Sequence, residues 1–146
     1  MSQPTLPDPT MERPNDLSTA ECHRLLRTQT VGRVGTTSGG LPCILPVCYA
    51  YEDGTIVFRT GTGTKLRAAA SGDVLAFQVD SIDSRSDHGW SVLVLGRASV
   101  LTTTHEHDGL PTLDSPREHG ELNHYVSLHC ELVTGRILEM TAHSRA

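Results

Sequence analysis

Polar and apolar positions change rhythm several times along this 146-residue chain, and each change predicts an element. Ser18-Thr19-Ala20-Glu21 reads as a capping box, the Ser18 hydroxyl accepting from the Glu21 amide and the Glu21 side chain returning to the cap. Cys22, Leu25 and Leu26 follow at helical spacing, so a short amphipathic helix ends before Thr28. From Val31 the period becomes two. Val31–Thr37 predicts a strand that stops at a Ser38-Gly39-Gly40 hairpin turn. Leu41–Tyr51 predicts a second strand, but it contains Pro42 and Pro46. Proline donates nothing to a ladder, so that strand is bulged or lies at an edge there.

Asp53-Gly54 signals a type I′ turn into a strand over Thr55–Thr60. Gly61 and Gly63 break it, and the alanine-rich stretch Thr64–Ser71 predicts a helix ended by Gly72. Val74–Asp80 reads as a strand, Ser81–Gly89 as a polar loop, and Trp90–Leu101 as a long strand. Residues 102–122 are irregular, and Tyr125–Met140 predicts two strands about a kink at Thr134-Gly135. The sum is a mainly β fold, an antiparallel barrel of six to seven strands with flanking helices. Regular βαβ alternation is missing, which argues against a doubly wound sheet. Residues 1–16, with Pro4, Pro7, Pro9 and Pro14, are expected to be a flexible arm; residues 17–141 form one domain and 142–146 a tail.

Composition narrows the function. Apolar residues at 37% and charged residues at 20% mark a globular chain. A net charge of −5 and only 4% aromatics exclude a nucleic-acid partner bound through phosphate neutralisation and base stacking. No apolar run reaches a membrane span and no signal-peptide core is seen, so a soluble cytoplasmic domain is expected. Cys22, Cys43, Cys48 and Cys130 form no CxxC pair and are expected as buried small hydrophobes. His105, His107, His119, His124 and His129 crowd a polar region without a metal-ligand spacing, so no metal is expected. The cations are eleven Arg and a single lysine, Lys65.

That lysine lies in Arg59-Thr60-Gly61-Thr62-Gly63-Thr64-Lys65-Leu66, where a strand ends, glycines turn the chain and a helix opens. Amides at a helix start, threonine hydroxyls and two cations suit a phosphate. The residues serve a plain strand–helix junction equally well, and the Walker pattern is absent. Pro46-Val47-Cys48-Tyr49 lies on the strand before this one and is either a simple edge or a backbone surface for a planar heterocycle. Gln78 and Asp80 interrupt an apolar strand, either as ligand contacts or as solvated positions. Trp90-Ser91-Val92 opens the long strand with the only tryptophan, a core or interface residue as readily as a ligand contact.

Taken in order, the P-V-x-Y strand, the D-G turn, the T-G-x-x-T-K-L turn, F-Q-V-D and G-W-S-V-x-V-x-G-R-A resemble the pyridoxamine 5′-phosphate oxidase-like, flavin-binding split-barrel family. The similarity runs from about Ser18 to Met140, and the small, actinobacterial-type members are the most alike. The resemblance implies a homodimer with FMN at the subunit interface and a small-molecule substrate. It implies that Arg59, Thr60, Thr64 and Lys65 hold the phosphate, with Gly61, Thr62, Gly63 and Leu66 shaping the turn. Pro46, Val47, Cys48 and Tyr49 would line the isoalloxazine ring through their backbone. Gln78, and Trp90, Ser91 and Val92 of the partner chain, would lie near the flavin's polar edge and ribityl chain. The activity implied is hydride transfer at flavin N5, with a deazaflavin reductase or a non-catalytic flavin- or haem-binding protein as the other outcomes. Two departures stand out. The Arg/His substrate motif of true pyridoxamine phosphate oxidases is absent, with His143-x-Arg145 reversed, and Asp114–Gly120 replaces the usual Pro-Gly-Arg-type linker.

Overall fold

The computed structural model describes residues 14–61, 63–101, 110, 113 and 124–140. In chain order the elements are α1 (Thr19–Leu26), β1 (Val31–Ser38), β2 (Leu41–Glu52), β3 (Thr55–Thr60), α2 (Thr64–Ala70), β4 (Val74–Asp83), β5 (His88–Leu101), β6 (His124–His129) and β7 (Leu132–Glu139). Every strand pairing is antiparallel. The order β1-β2-β3-β6-β5-β4 closes on itself through β1–β4, and β7 extends the wall beyond β5. The mainly β split-barrel expectation holds.

Two strands are shared between sheets. β2 gives Leu41–Cys48 to β1 and Tyr49–Glu52 to β3. β5 gives His88–Leu95 to β7 and Ala98–Leu101 to β6, while β4 runs along its other edge. One curved sheet therefore holds β2-β1-β4-β5-β7 and the other β2-β3-β6-β5, their inner faces enclosing the core. Phe58, Phe77, Ile56, Leu75, Leu128, Val34 and Val94 are at most 1% exposed there. Each such side chain contributes about 1.5–3 kcal/mol on leaving water. Phe77 meets Tyr49 edge-on with centroids 4.9 Å apart, and its ring lies over Gly32, where a Cβ would come within 2.2 Å of Phe77 Cζ.

Local chemistry sets the element ends. The Ser18 hydroxyl accepts from the Glu21 amide at 3.1 Å. The other half of the expected capping box is not made. The Glu21 carboxylate turns outward to Arg24 at 2.8 Å, and that bond and charge hold it below the usual carboxylate range. Asp53 and Gly54 both take positive φ, as a type I′ turn needs, and so do Gly39 and Gly40 between β1 and β2. α1 packs against β7 and β5, and α2 against β5, β1 and β6.

Three boundaries differ from expectation. The β1–β2 register runs without a skip from Val31↔Cys48 to Ser38↔Leu41, so Pro42 and Pro46 make no bulge. The reading of that strand as an edge is the one the structure keeps. β4 and β5 extend through most of the expected polar loop, pairing out to Asp83↔His88, and polar residues at an exposed hairpin tip mimic a loop. The break in the last segment falls at Cys130–Glu131, and Thr134-Gly135 lies inside β7. Gly135 is there for a close approach rather than a kink, since a Cβ would come within 2.6 Å of Cys22 Sγ on α1. The cysteines also divide: Cys22 and Cys48 are buried, Cys130 is half-buried, and Cys43 is exposed. The expected flexible arm, the C-terminal tail and the 114–120 segment fall largely outside the described residues, although Asp16 bridges to Arg136 on β7. Among the described residues no helix is long and apolar enough to cross a membrane.

Candidate functional site

Pairing between β2 and β3 starts at the Asp53-Gly54 turn and stops at Tyr49↔Phe58. Beyond it the strands part, leaving Pro46, Val47 and Cys48 on one side of a gap and Arg59 and Thr60 on the other. The free edge of β2 can be read by parity. The Tyr49 amide donates to the Thr30 carbonyl on the β1 side, so odd-numbered polar groups point to β1 and even-numbered ones to the gap. Pro46 C=O and Cys48 N–H are therefore aimed at the β3 side, where pairing ends. Pro42 and Pro46 are even-numbered, which explains why they leave the β1–β2 ladder intact.

The side chains of this segment divide by the same alternation. Val47 and Tyr49 enter the core, each 4% exposed. The Tyr49 hydroxyl donates to the Leu26 carbonyl at 2.6 Å, pinning β2 to the end of α1. Burial pushes its ionisation far above the usual tyrosine range. The backbone groups of Val47 and Tyr49 point to β1 by the same parity, so at the gap it is Pro46 and Cys48 that present backbone groups. Pro46 and Cys48 lie on the outer face, Pro46 exposed and Cys48 buried.

Across the gap, Arg59 is half-buried beside Tyr125, its register partner on β6. Its guanidinium sits 5.4 Å from the Tyr125 ring centroid and reaches the Leu110 carbonyl at 3.4 Å. Thr60 is buried, while Gly61, Gly63, Lys65 and Leu66 are half-buried. Thr62 lies outside the described residues. Thr64 opens α2 after Gly63, which supplies no side-chain cap, and a Cβ on Gly63 would meet nothing within 4 Å. The turn thus combines a planar cation, a lysine and open space beside bare backbone. That donor set fits a phosphate group.

Gln78 and Ser91 belong to a second group. On β4, inward Leu75, Phe77 and Val79 alternate with outward Ala76, Gln78 and Asp80. Gln78 Nε2 donates to Asp80 Oδ2 at 2.8 Å and to Ser91 Oγ at 3.1 Å. Asp80 and Ser91 are cross-strand partners. Trp90 and Val92, one position either side of Ser91, point the other way. Val92 is fully buried and Trp90 packs against the core. Of the three expected contacts on β5, only Ser91 presents its side chain on the face that holds Gln78.

The structure thus brings the described site residues, apart from the inward-facing Trp90 and Val92, to two places. One is the gap between β2 and the Arg59–Leu66 turn; the other is the Gln78–Asp80–Ser91 cluster. Arg33 links them in part, because Pro46, Arg33 and Gln78 share one register row. Arg59 and Gln78 nevertheless project from the outer faces of opposite sheets. Tyr125, which carries no motif, is the residue that motif reading left out of the site. Asp80, expected beside Gln78 as a ligand contact or a solvated position, accepts from the Gln78 amide instead. Among the described residues, no group of three or more His, Cys, Asp or Glu side chains gathers as metal ligands.

The sequence model of the pyridoxamine 5′-phosphate oxidase family matches residues 18–137, the whole barrel with both halves of the site. The chain belongs to that family. The uncharacterized protein Rv0080 of Mycobacterium tuberculosis is 32% identical over 135 residues, spanning 89% of this chain and 88% of that protein. Two solved structures are similar throughout the fold. The FAD-binding protein from Mycobacterium smegmatis has a TM-score of 0.68 at 30% identity, covering 86% of this chain and 99% of that one. The FAD-binding protein from Mesorhizobium loti has the same TM-score at 26% identity, covering 86% and 96%.

Proposed function

We propose that this member of the family is a flavin-dependent oxidoreductase that works as a homodimer, with each flavin bound between two chains. The observation that carries the reading is the parted β2–β3 edge. It directs the Pro46 carbonyl and the Cys48 amide to an open edge opposite a phosphate-suited turn bearing Arg59 and Lys65. Two solved relatives described as FAD-binding, with which this chain shares 30% and 26% identity, support a flavin there. FMN and FAD share the ring, the ribityl chain and the first phosphate, and it is this shared half that the gap and turn suit. A bound flavin supplies the redox chemistry, a hydride exchanged at N5 with a small molecule, while the protein binds and orients it.

Two features support a shared site. Arg59 and the Gln78–Ser91 pair lie on opposite outer faces, so one ligand meeting both draws them from two copies. The β1–β2 hairpin also reaches past its neighbours, since β4 pairs β1 only over Arg33–Gly35. Its Leu41 and Ile44 are 75% and 72% exposed, above a groove of about 290 Å³ that Val74 and Leu95 help to line. Apolar exposure of this kind marks a protein interface.

The test is purification followed by acid extraction and chromatography of any yellow chromophore. FMN or FAD at about one per chain supports the reading. Protein that stays colourless and leaves the fluorescence of both added flavins unquenched overturns it.

A further inference from the structure

The cluster on the outer face of β4 and β5 has a defined polarity, and Asp80 sets it. A carboxylate accepts hydrogen bonds and donates none, so the Gln78 atom 2.8 Å from Asp80 Oδ2 is the amide nitrogen. The second amide hydrogen is directed to Ser91 Oγ at 3.1 Å. Both donors of Gln78 are then spent, and its carbonyl oxygen is the group left for a ligand. Ser91, having accepted through its oxygen, keeps its hydroxyl proton to donate. Backbone pairing holds the arrangement: Gln78 and Asp80 are two apart on one strand, and Ser91 is the register partner of Asp80. Arg33 on β1 stands in register with Gln78 on its other side. Arg136 on β7 stands in register with Ser91, but its Nε lies 3.7 Å from Asp16 Oδ1.

From this arrangement we infer that Asp80 is a positioning residue, locking the Gln78 amide so that it offers an acceptor to an N–H edge of a planar heterocycle. The inference rests on the flavin reading, whose ring carries such an edge at N3–H between two carbonyls. An unlocked glutamine would turn either end to the ligand and select nothing. With the amide locked, a ring offering N–H at that edge is accepted and one blocked there is not. Asp80 never touches the ring; its effect passes through Gln78.

Two measurements test this on the full chain. In flavin-free protein, the Gln78 side-chain NH₂ pair, assigned by its loss in Gln78→Ala, is expected to exchange slowly with water in wild type. In Asp80→Ala it exchanges freely, and in Asp80→Asn, which keeps an acceptor oxygen at the same volume, protection largely returns. With FMN added, Asp80→Ala is expected to weaken binding about tenfold in the wild-type background and less than about twofold in the Gln78→Ala background. The preference for FMN over its N3-methyl analogue falls with the same substitution. Amide exchange that ignores Asp80, or an equal loss in both backgrounds, overturns the positioning role while leaving flavin binding standing. Wild-type protein that holds the Gln78 amide but binds no flavin overturns the ligand assignment together with the flavin reading.

Discussion

Exchange of subunits between two defective variants gives a direct reading of where the flavin sits. Lys65→Ala removes a cation from the turn, and a charge-assisted hydrogen bond of this type contributes about 1.5–3 kcal/mol, or roughly 10–150-fold in affinity. The double variant Gln78→Ala/Ser91→Ala removes the outer-face cluster. Gln78 and Ser91 bond each other within one chain, so they come to any ligand from the same copy. If the site is shared, a mixed dimer carries both defects in one site and none in the other. Random exchange of equal amounts makes half the dimers mixed, so about one quarter of all sites become native. Each variant alone has none. The assay is FMN titration by fluorescence quenching at a concentration near the wild-type dissociation constant, before and after exchange. A tight-binding fraction near one quarter is the expected result. Binding that stays at the average of the two parents refutes the shared site and places both groups on a ligand within one chain.

Three further outcomes follow from packing. Gly96→Ala places a Cβ 1.6 Å from the His129 carbonyl oxygen, a backbone atom that cannot step aside, and is expected to cost at least about 3 kcal/mol in thermal or urea unfolding; a loss below about 1 kcal/mol contradicts that contact. Stability is expected to fall on the alkaline side. Burial raises the folded-state ionisation of Cys22, Cys130 (to about 11) and Tyr49 above their unfolded values. The neutral forms therefore favour folding below about pH 9, and that stability is lost progressively above it, by up to about 1.4 kcal/mol per pH unit for each group. A flat urea midpoint between pH 8 and 11 is the contrary result. Ile44→Glu, on the exposed face of the β1–β2 arm, is expected to shift gel filtration from dimer to monomer with little change in far-ultraviolet circular dichroism; an unchanged dimer shows that the arm lies outside the interface.

The barrel was legible because its turns are written locally. Gly39-Gly40 and Asp53-Gly54 dictate positive φ and hence hairpins, and Ser18 dictates the start of α1. The misread boundaries share a cause, since each is settled only by which residues pair or pack together. Gly135 looks like a breaker until Cys22 is placed against it, and Ser81–Asp83 look like a loop until His88–Trp90 pair with them. At the site, residue types announced the turn from Arg59 to Leu66, and alternation put Gln78 and Asp80 on one face. Neither could say that Trp90 turns inward while Ser91 turns out, because that depends on which edge of β5 meets β4 and β7. Pro46 was ambiguous for the same reason: a missing donor signals an interrupted ladder, and only pairing shows which side of the strand is interrupted.

The two prolines of β2 also bear on solubility. Leu41–Cys48 is a long strand with an open edge and exposed apolar side chains, the pattern on which chains add to one another as stacked strands. Every second residue sends its amide to that open edge, and two of the four positions, Pro42 and Pro46, have no amide hydrogen to send. An approaching strand would find only the donors of Ile44 and Cys48, too few and too far apart for a ladder. The same substitution pattern leaves the carbonyls in place. The edge is closed to polymerisation while it stays open to a ligand that asks for isolated backbone groups.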